Sequence, residues 1–545
     1  MYASHPSVKE IKENVNIVEK FKFKNISSNV IKDEIDRLNP KKSCIGNDIP
    51  VKVLMGNSDI VCEPLTNIYN NSKDNQDYPI SLKRADITPV HKPNEKNEKI
   101  FKKNYRPVSL IPVVSKVFER TMFDEISLYI DQFLSPYLFG FRKGHSTEQC
   151  LTSMIELWRQ ALDNRNSAGA ILTDLSKAFD CLNHNLLIAK LDAYGFDANA
   201  LGYIYDYLKK RKQRTKVGNS YSTWRETLCG VPQGSILGPL LFNIFINDIF
   251  YFVDETKIAN YADDTTIYAT EVNEKNLLKL LEKETIIVLD WFRKNEMKSN
   301  DDKCHLIVAN NENISINLEH DIIESSDSVK LLGVCVDNKL DFTEHVSKLC
   351  KKGNQKLHAL ARISKYLSKD KLRVLMKAFI ESQFNYCPLV WMFHNRTLNN
   401  KINRLHERAL RIVYNDEIDN NSTFQELLDK DGSVKIHDRN LRKLAVEMFK
   451  VKNNLSPLPM QELFKEKAQI YDLRNKRNWE VSDVKTVAYG TETIRYRGPK
   501  TWELLPSDIK NTQTLADFKS KIKNWKPHGC TCRLCLNYVY HLGFI

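Results

Sequence analysis

The chain has 545 residues, 42% hydrophobic and 27% charged, with 12 cysteines and a formal net charge of +13. That length predicts three or four structural units with a sizeable core. Nine of the cysteines stand singly, as reduced thiols of an intracellular protein do, and the first thirty residues are too charged for a secretory signal. The excess charge is uneven: residues 341–545 carry +15, which leaves −2 for residues 1–340. A cationic C-terminal half suits a nucleic-acid backbone, with ordinary solubilising charge as the plainer alternative.

In chain order, residues 1–70 read as charged helices, with Ile31, Ile35 and Leu38 at helical spacing. Lys92–Lys99 is a polar loop. Leu151, Met154, Ile155, Trp158 and Leu162 mark an amphipathic helix over 146–165. Ala168–Asp174 is a short apolar run that predicts a buried strand delivering Asp174 at its end. Gly230–Leu240 holds three glycines and two prolines, a special-backbone loop where the main chain can approach a ligand closely. The apolar stretch Ser235–Val253 contains Gly238-Pro239, Asn243, Asn247 and Asp248, which favours a buried helix over a membrane span. Lys257–Asn260 and Thr265–Ala269 read as the arms of a hairpin whose tip is Tyr261-Ala262-Asp263-Asp264. Leu278, Leu281, Val288, Leu289 and Phe292 then predict a helix.

From about 341 the pattern is mostly helical. Ile402, Leu405, Ala409 and Ile412 form an apolar stripe with Arg404, Arg408 and Arg411 beside it. That cationic face suits a nucleic-acid duplex, or is a solvated surface paired with Glu407. Leu455–Pro459 reads as a linker or a boundary. Arg495–Trp502 mixes cations with aromatics, which fits either base stacking or a surface strand and turn. The tail holds Cys530, Cys532 and Cys535, which with His541 could supply four zinc ligands. The Cys530–Cys532 spacing is tighter than the usual pattern, and this favours a flexible, reduced tail instead.

The acidic hairpin tip carries the chemistry. Two adjacent carboxylates repel, and a fold keeps them most readily beside a cation; Mg²⁺ prefers oxygen ligands of this kind. A solvated acidic turn is the plainer reading of the pair alone. Asp174, at the end of its own strand, adds a third carboxylate. Three carboxylates so placed can hold two divalent ions about 4 Å apart, the arrangement that clamps the attacking and leaving oxygens of a phosphoryl transfer.

The order Asp174 to Phe179-Asp180, then Pro232-Gln233-Gly234-Ser235, then Tyr261-Ala262-Asp263-Asp264 resembles the reverse transcriptases of non-LTR (LINE-type, jockey-like) retrotransposons. Asn104–Leu110 and Leu138–Gly144 are similar to the family's fingers motifs. Lys41–Pro50 is similar to its N-terminal extension, with Ile45-Gly46 where a Pro-Gly pair is usual. Asn300–Lys303 resembles the lysine-bearing motif after the catalytic hairpin, and Leu331–Val334 the end of the palm. The resemblance implies an α+β right-hand polymerase fold: fingers, a palm with an antiparallel sheet and a helical thumb, plus a mostly helical basic C-terminal region. The corresponding boundaries are an extension at 1–70, fingers and palm at 71–340, a thumb-like region at 341–455 and a basic region with its Cys-rich tail at 456–545.

The implied activity is RNA-directed DNA polymerisation, extension of a DNA primer 3′-hydroxyl with deoxynucleoside triphosphates on an RNA template. By resemblance Asp174, Asp263 and Asp264 hold two Mg²⁺ ions, with Mn²⁺ as a substitute. Lys303 protonates pyrophosphate or caps the palm. Arg106 with Lys103 or Lys102 grips the triphosphate, and Gln233, Gly234 and Tyr261 lie at the nucleotide. Phe179 excludes a ribose 2′-hydroxyl, or is a core phenylalanine. The alternative function is a retroelement-derived nucleic-acid-binding protein without polymerase activity. An intron-type enzyme that assists splicing is disfavoured by the 331–345 segment. No membrane association is expected. With too few residues ahead of the fingers for an endonuclease, a separate endonuclease partner is expected to supply the primer end.

Overall fold

The computed structural model describes residues 2–42, 45–46, 48–92, 101, 104–299, 304–311, 313–318, 321–417, 419, 421–467 and 479–535. It is a mixed α+β structure in two compact units that interleave along the chain. The first comprises Met1–Phe141, Thr173–Thr265 and Glu284–Lys303; the second comprises Arg142–Leu172, Thr266–Lys283 and Cys304–Ile545.

In the first unit the N-terminal residues form helices Pro6–Asn14, Ser28–Asp36, Val51–Gly56 and Ser58–Asp74. Ile31 and Ile35 are fully buried, as their spacing predicts. A sheet follows in which Arg84–His91 pairs antiparallel with Tyr105–Leu110, placing Val90 opposite Arg106, and parallel with Lys212–Val217. The same unit holds helices Val113–Ile130, Ala198–Leu208 and Gly238–Ile246, the last being the apolar stretch expected to form a buried helix. Among the described residues no helix is long and apolar enough to cross a membrane.

Two charged groups are sealed into this unit. Lys190 and Asp248 are both fully buried and 2.6 Å apart. Lys190 Nζ also donates to the Phe245 carbonyl at 2.7 Å, and Trp291 Nε1 donates to the other Asp248 oxygen at 2.8 Å. Burial pushes the Lys190 amine down to about 8, against the pull of Asp248. A partnerless carboxylate in such a place is costly. Lys190→Met is therefore expected to cost about 3–5 kcal/mol in urea unfolding of the full chain, and adding Asp248→Asn to recover most of it.

A four-stranded sheet runs Lys257–Tyr261, Asp264–Glu271, Ser167–Asp174, His305–Val308. Its two central strands are common to both units; their ends Thr173–Asp174 and Asp264–Thr265 belong to the first. In the second unit Gly169–Leu172 pairs antiparallel with His305–Val308. Helix Thr147–Asp163 starts where Ser146 Oγ accepts the Gln149 N–H, and it buries Leu151, Met154, Ile155 and Trp158. Hairpin Ser328–Leu331/Val334–Asp337 turns at Leu332 and Gly333, both at positive φ. Helices Thr343–Ile363, Arg396–Val413, Ile436–Lys452, Ile494–Glu503 and Leu515–Ile522 complete the unit.

Two expectations change here. Leu455–Pro459 is no linker: Ser456 is buried, its Oγ donates to Glu447 Oε1 at 2.5 Å, and a short helix starts at Leu458. Arg495–Trp502 is neither a stacking surface nor a strand. It lies in helix Ile494–Glu503, with Arg495, Arg497 and Trp502 all buried. The Arg497 guanidinium is paired with Glu492, which is 2% exposed. Burial with a partner, not phosphate contact, accounts for this arginine.

Candidate active site

The strand Ser167–Asp174 ends at a half-buried Asp174. Its neighbour Thr173 is buried and donates through Oγ1 to the Thr265 carbonyl at 3.2 Å, which sets Asp174 beside the hairpin tip. The tip is held from below. Asn260 is fully buried and its Nδ2 donates to Thr265 Oγ1 at 2.9 Å. Phe139 N–H donates to the Asn260 carbonyl at 2.8 Å, and Asn260 N–H to the Tyr137 carbonyl at 3.1 Å. Gly140 follows directly, and a Cβ there would lie 2.4 Å from the backbone nitrogen of Ala262. Ala262 itself sits at φ +59°, a left-handed conformation that costs a side-chain-bearing residue on the order of 1 kcal/mol. The turn is thus strained and clamped.

Asp263 is half-buried and Asp264 exposed. Burial first, and then the negative charge of Asp174, push the Asp263 carboxyl above its ordinary value. Its own backbone N–H and the positive charges of Arg106 and Lys92 pull the other way. A carboxylate destabilised by burial and by a second carboxylate is a site in want of a cation. Three carboxylate groups in this setting fit a hard divalent ion, whose ligands are oxygens.

Phe179 and the glycine-rich loop lie in the same unit. Phe179 is half-exposed on the short turn Ala178–Asp180, stacked on Phe242 with ring centres 4.7 Å apart and edge-on to Phe141 at 5.7 Å. Its carbonyl accepts the Val231 N–H at 2.9 Å, and Gly230 N–H donates to the Leu182 carbonyl at 2.7 Å. Gln233 Nε2 donates to Asp180 Oδ1 at 3.1 Å, and the Gln233 carbonyl accepts the Ser109 N–H at 2.7 Å. Gly234 is exposed at φ +123°, where a Cβ would meet the Ser109 carbonyl at 2.7 Å. The loop is fixed from behind by Glu119, fully buried, whose Oε2 accepts the Ile236 N–H at 2.7 Å and whose Oε1 accepts the Tyr207 hydroxyl at 3.0 Å. Burial raises the Glu119 carboxyl above its usual range.

Arg106 is exposed on its strand, and Tyr261 is half-buried at the hairpin tip. Lys102, Lys103, Lys303 and His541 lie outside the described residues. Sequence reading gives Lys92, Asp180 and Glu119 no role in the site. Lys92 reads as one more charge in a polar loop, and the contacts of Asp180 and Glu119 span 53 and 117 residues. In the second unit Cys532 and Cys535 meet His437, a residue that sequence spacing does not bring to the tail.

Residues 90–336 match the reverse transcriptase (RNA-dependent DNA polymerase) family. The chain is 29% identical over 363 residues to the probable RNA-directed DNA polymerase from transposon BS of Drosophila melanogaster, covering 64% of this chain and 40% of that protein. It is 27% identical over 294 residues to the RNA-directed DNA polymerase from mobile element jockey of the same species, covering 52% and 32%. Against the jockey enzyme of Drosophila funebris the identity is 26% over 404 residues, covering 70% and 43%. The matched part thus spans about a third to two fifths of the length of these relatives. Residues 90–336 thus carry a reverse transcriptase domain, similar to those of the LINE-type mobile elements named above.

Proposed function

We propose that this chain is an RNA-directed DNA polymerase that extends a DNA primer on an RNA template, folded as fingers, palm and thumb. The observation that carries the reading is the half-buried Asp263 carboxylate, pressed by Asp174 and opposed by Arg106 and Lys92. Asp174, Asp263 and Asp264 are the residues that would hold two Mg²⁺ or Mn²⁺ ions. Bound there, the ions supply the charge that activates the primer 3′-oxygen and neutralises the leaving pyrophosphate. The protein's own part is position. Arg106 and Lys92 draw in the triphosphate, Arg106 with the geometry for bidentate contact. The Gln233-Gly234 main chain, held by Asp180, Ser109 and Glu119, forms a fixed floor for the incoming nucleotide. Tyr261, at the hairpin tip, is assigned to the nucleotide, and Lys303 to pyrophosphate release or to the palm.

Phe179 is the proposed barrier to a ribose 2′-hydroxyl. Packed on Phe242 and Phe141, its ring has little room to yield. Phe179→Val is expected to raise ribonucleotide use relative to deoxynucleotide use by about ten- to a hundredfold in single-nucleotide addition. Unchanged discrimination would return Phe179 to a packing role. The decisive experiment is primer extension by the full chain on a primed RNA with Mg²⁺ and deoxynucleotides. RNA binding without synthesis would favour a nucleic-acid-binding protein of retroelement origin.

A further inference from the structure

The segment Cys530–Cys535 is built into the core of the second unit and is no loose tail. Cys532 is fully buried and Leu534 is 4% exposed. Arg533 N–H donates to Glu492 Oε1 at 3.2 Å, its guanidinium contacts the Phe393 carbonyl, and Arg497 Nη1 donates to Thr531 Oγ1 at 3.3 Å. These contacts hold the thiols against His437, on helix Ile436–Lys452.

His437 Nε2 lies 3.2 Å from Cys532 Sγ. The ligand atoms of His437, Cys532 and Cys535 all lie within 4.8 Å of one another. Cys530, half-buried two residues from Cys532, lies beside this group, which does not include it. The three cysteines are free, so no disulfide accounts for their convergence. The other ring nitrogen of His437 is buried with no hydrogen-bond partner among the described residues. A tetrahedral zinc site, with bonds of about 2.0–2.3 Å, has ligand-to-ligand edges of roughly 3.5–3.8 Å. Two sulfurs and one imidazole at these separations need only small adjustments to share such an ion, and Cys530 is the neighbouring thiol that can complete the set.

We propose that Cys530, Cys532, Cys535 and His437 form a closed structural site for Zn²⁺, which fastens this segment to the Ile436–Lys452 helix. The ligand set is soft, which selects Zn²⁺ over Mg²⁺, and four protein ligands leave no open position for catalysis. Binding releases the thiol protons to solvent and leaves three thiolates and a neutral imidazole around the ion. The site closes a loop of 95 residues, so it restricts the unfolded chain as well as the native one. His437 takes the place that sequence spacing gives to His541. The proposal is independent of the polymerase reading.

The test uses the full chain purified without chelator. Metal analysis is expected to find about one Zn²⁺ per chain, and Co²⁺ exchanged into it to give the strong thiolate and d–d bands of a tetrahedral site. Cys532→Ser and His437→Ala should lose the metal, whereas Cys350→Ser, a buried thiol elsewhere, should keep it. Should the ligand variants misfold, Cys535→His retains four ligands and is expected to hold Co²⁺ with thiolate absorption lowered by about a third, as two of three sulfurs remain. The proposal is overturned by metal-free wild-type protein that gives no tetrahedral Co²⁺ spectrum, by a disulfide among the three thiols, or by unchanged zinc in both ligand variants.

Discussion

Asp263→Asn is expected to reduce primer extension by on the order of a thousandfold or more while RNA binding and folding survive. The substitution keeps the shape of the turn and removes one negative charge from a place that holds it at a cost. Burial and Asp174 raise the Asp263 carboxyl in the folded protein, so the folded state takes up a proton at higher pH than the unfolded chain, whose value is about 3.9. Between those two values the folded state binds more protons, and the metal-free protein therefore gains stability from this group as pH falls. Removing the charge should leave the thermal midpoint of the metal-free protein unchanged or higher, and should abolish the extra stability that Mg²⁺ gives the wild type. Measured together, activity, Mg²⁺-dependent midpoint and RNA affinity separate a lost ligand from a lost fold. Retained synthesis would remove Asp263 from the reaction; a collapse of the midpoint would make its role structural.

Gly140→Ala should impair the enzyme without touching any reacting group. The added Cβ would fall 2.4 Å from the Ala262 nitrogen, inside any tolerable contact, and that neighbour is backbone and cannot rotate away. Nor can Gly140 retreat easily. Its carbonyl accepts Asn243 Nδ2 at 2.8 Å, and the preceding residue is bonded to Asn260. The turn must shift by several tenths of an ångström or more, carrying Asp263 and Asp264 with it. Misplacement on the scale of 1 Å can cost about a hundredfold in rate, and overpacking of this kind about 1–3 kcal/mol in stability. Gly56→Ala is the control, since a Cβ there meets nothing within 4 Å. Equal activity of the two variants would show that the turn does not depend on its support.

The parts legible in the sequence are those fixed by local pattern. A run of small and apolar residues ending in Asp174, and β-branched arms around Asp263 and Asp264, suffice to place three carboxylates at strand ends. The helix Ser28–Asp36 and the stripe through Ile402, Leu405 and Ala409 follow from spacing alone. What stayed hidden depends on distant partners. Glu119 carries no signal in the sequence until the Ile236 amide is brought to it from 117 residues away. Arg497 reads as a surface cation because burial of its guanidinium requires Glu492 to be in place, and no periodicity announces that. The stripe of arginines divides: Arg404 and Arg408 are exposed, whereas Arg411 is committed to Glu407 at 2.9 Å and to the Ser422 carbonyl. The cationic face is therefore narrower than the sequence count implies.

The backbone bridge from Tyr137 and Phe139 to Asn260 has a consequence beyond catalysis. Lys257–Tyr261 is the outermost strand of its sheet, and an outermost strand with unpaired amides invites a strand from another molecule. The bridge occupies the amide and carbonyl of Asn260 from that open side. A chain in which residues 137–140 fail to dock would offer its acidic hairpin as a template for intermolecular pairing. Lesions in this short segment should therefore be read first in the insoluble fraction, as self-association at the rim of the sheet, before they are read as a slow enzyme.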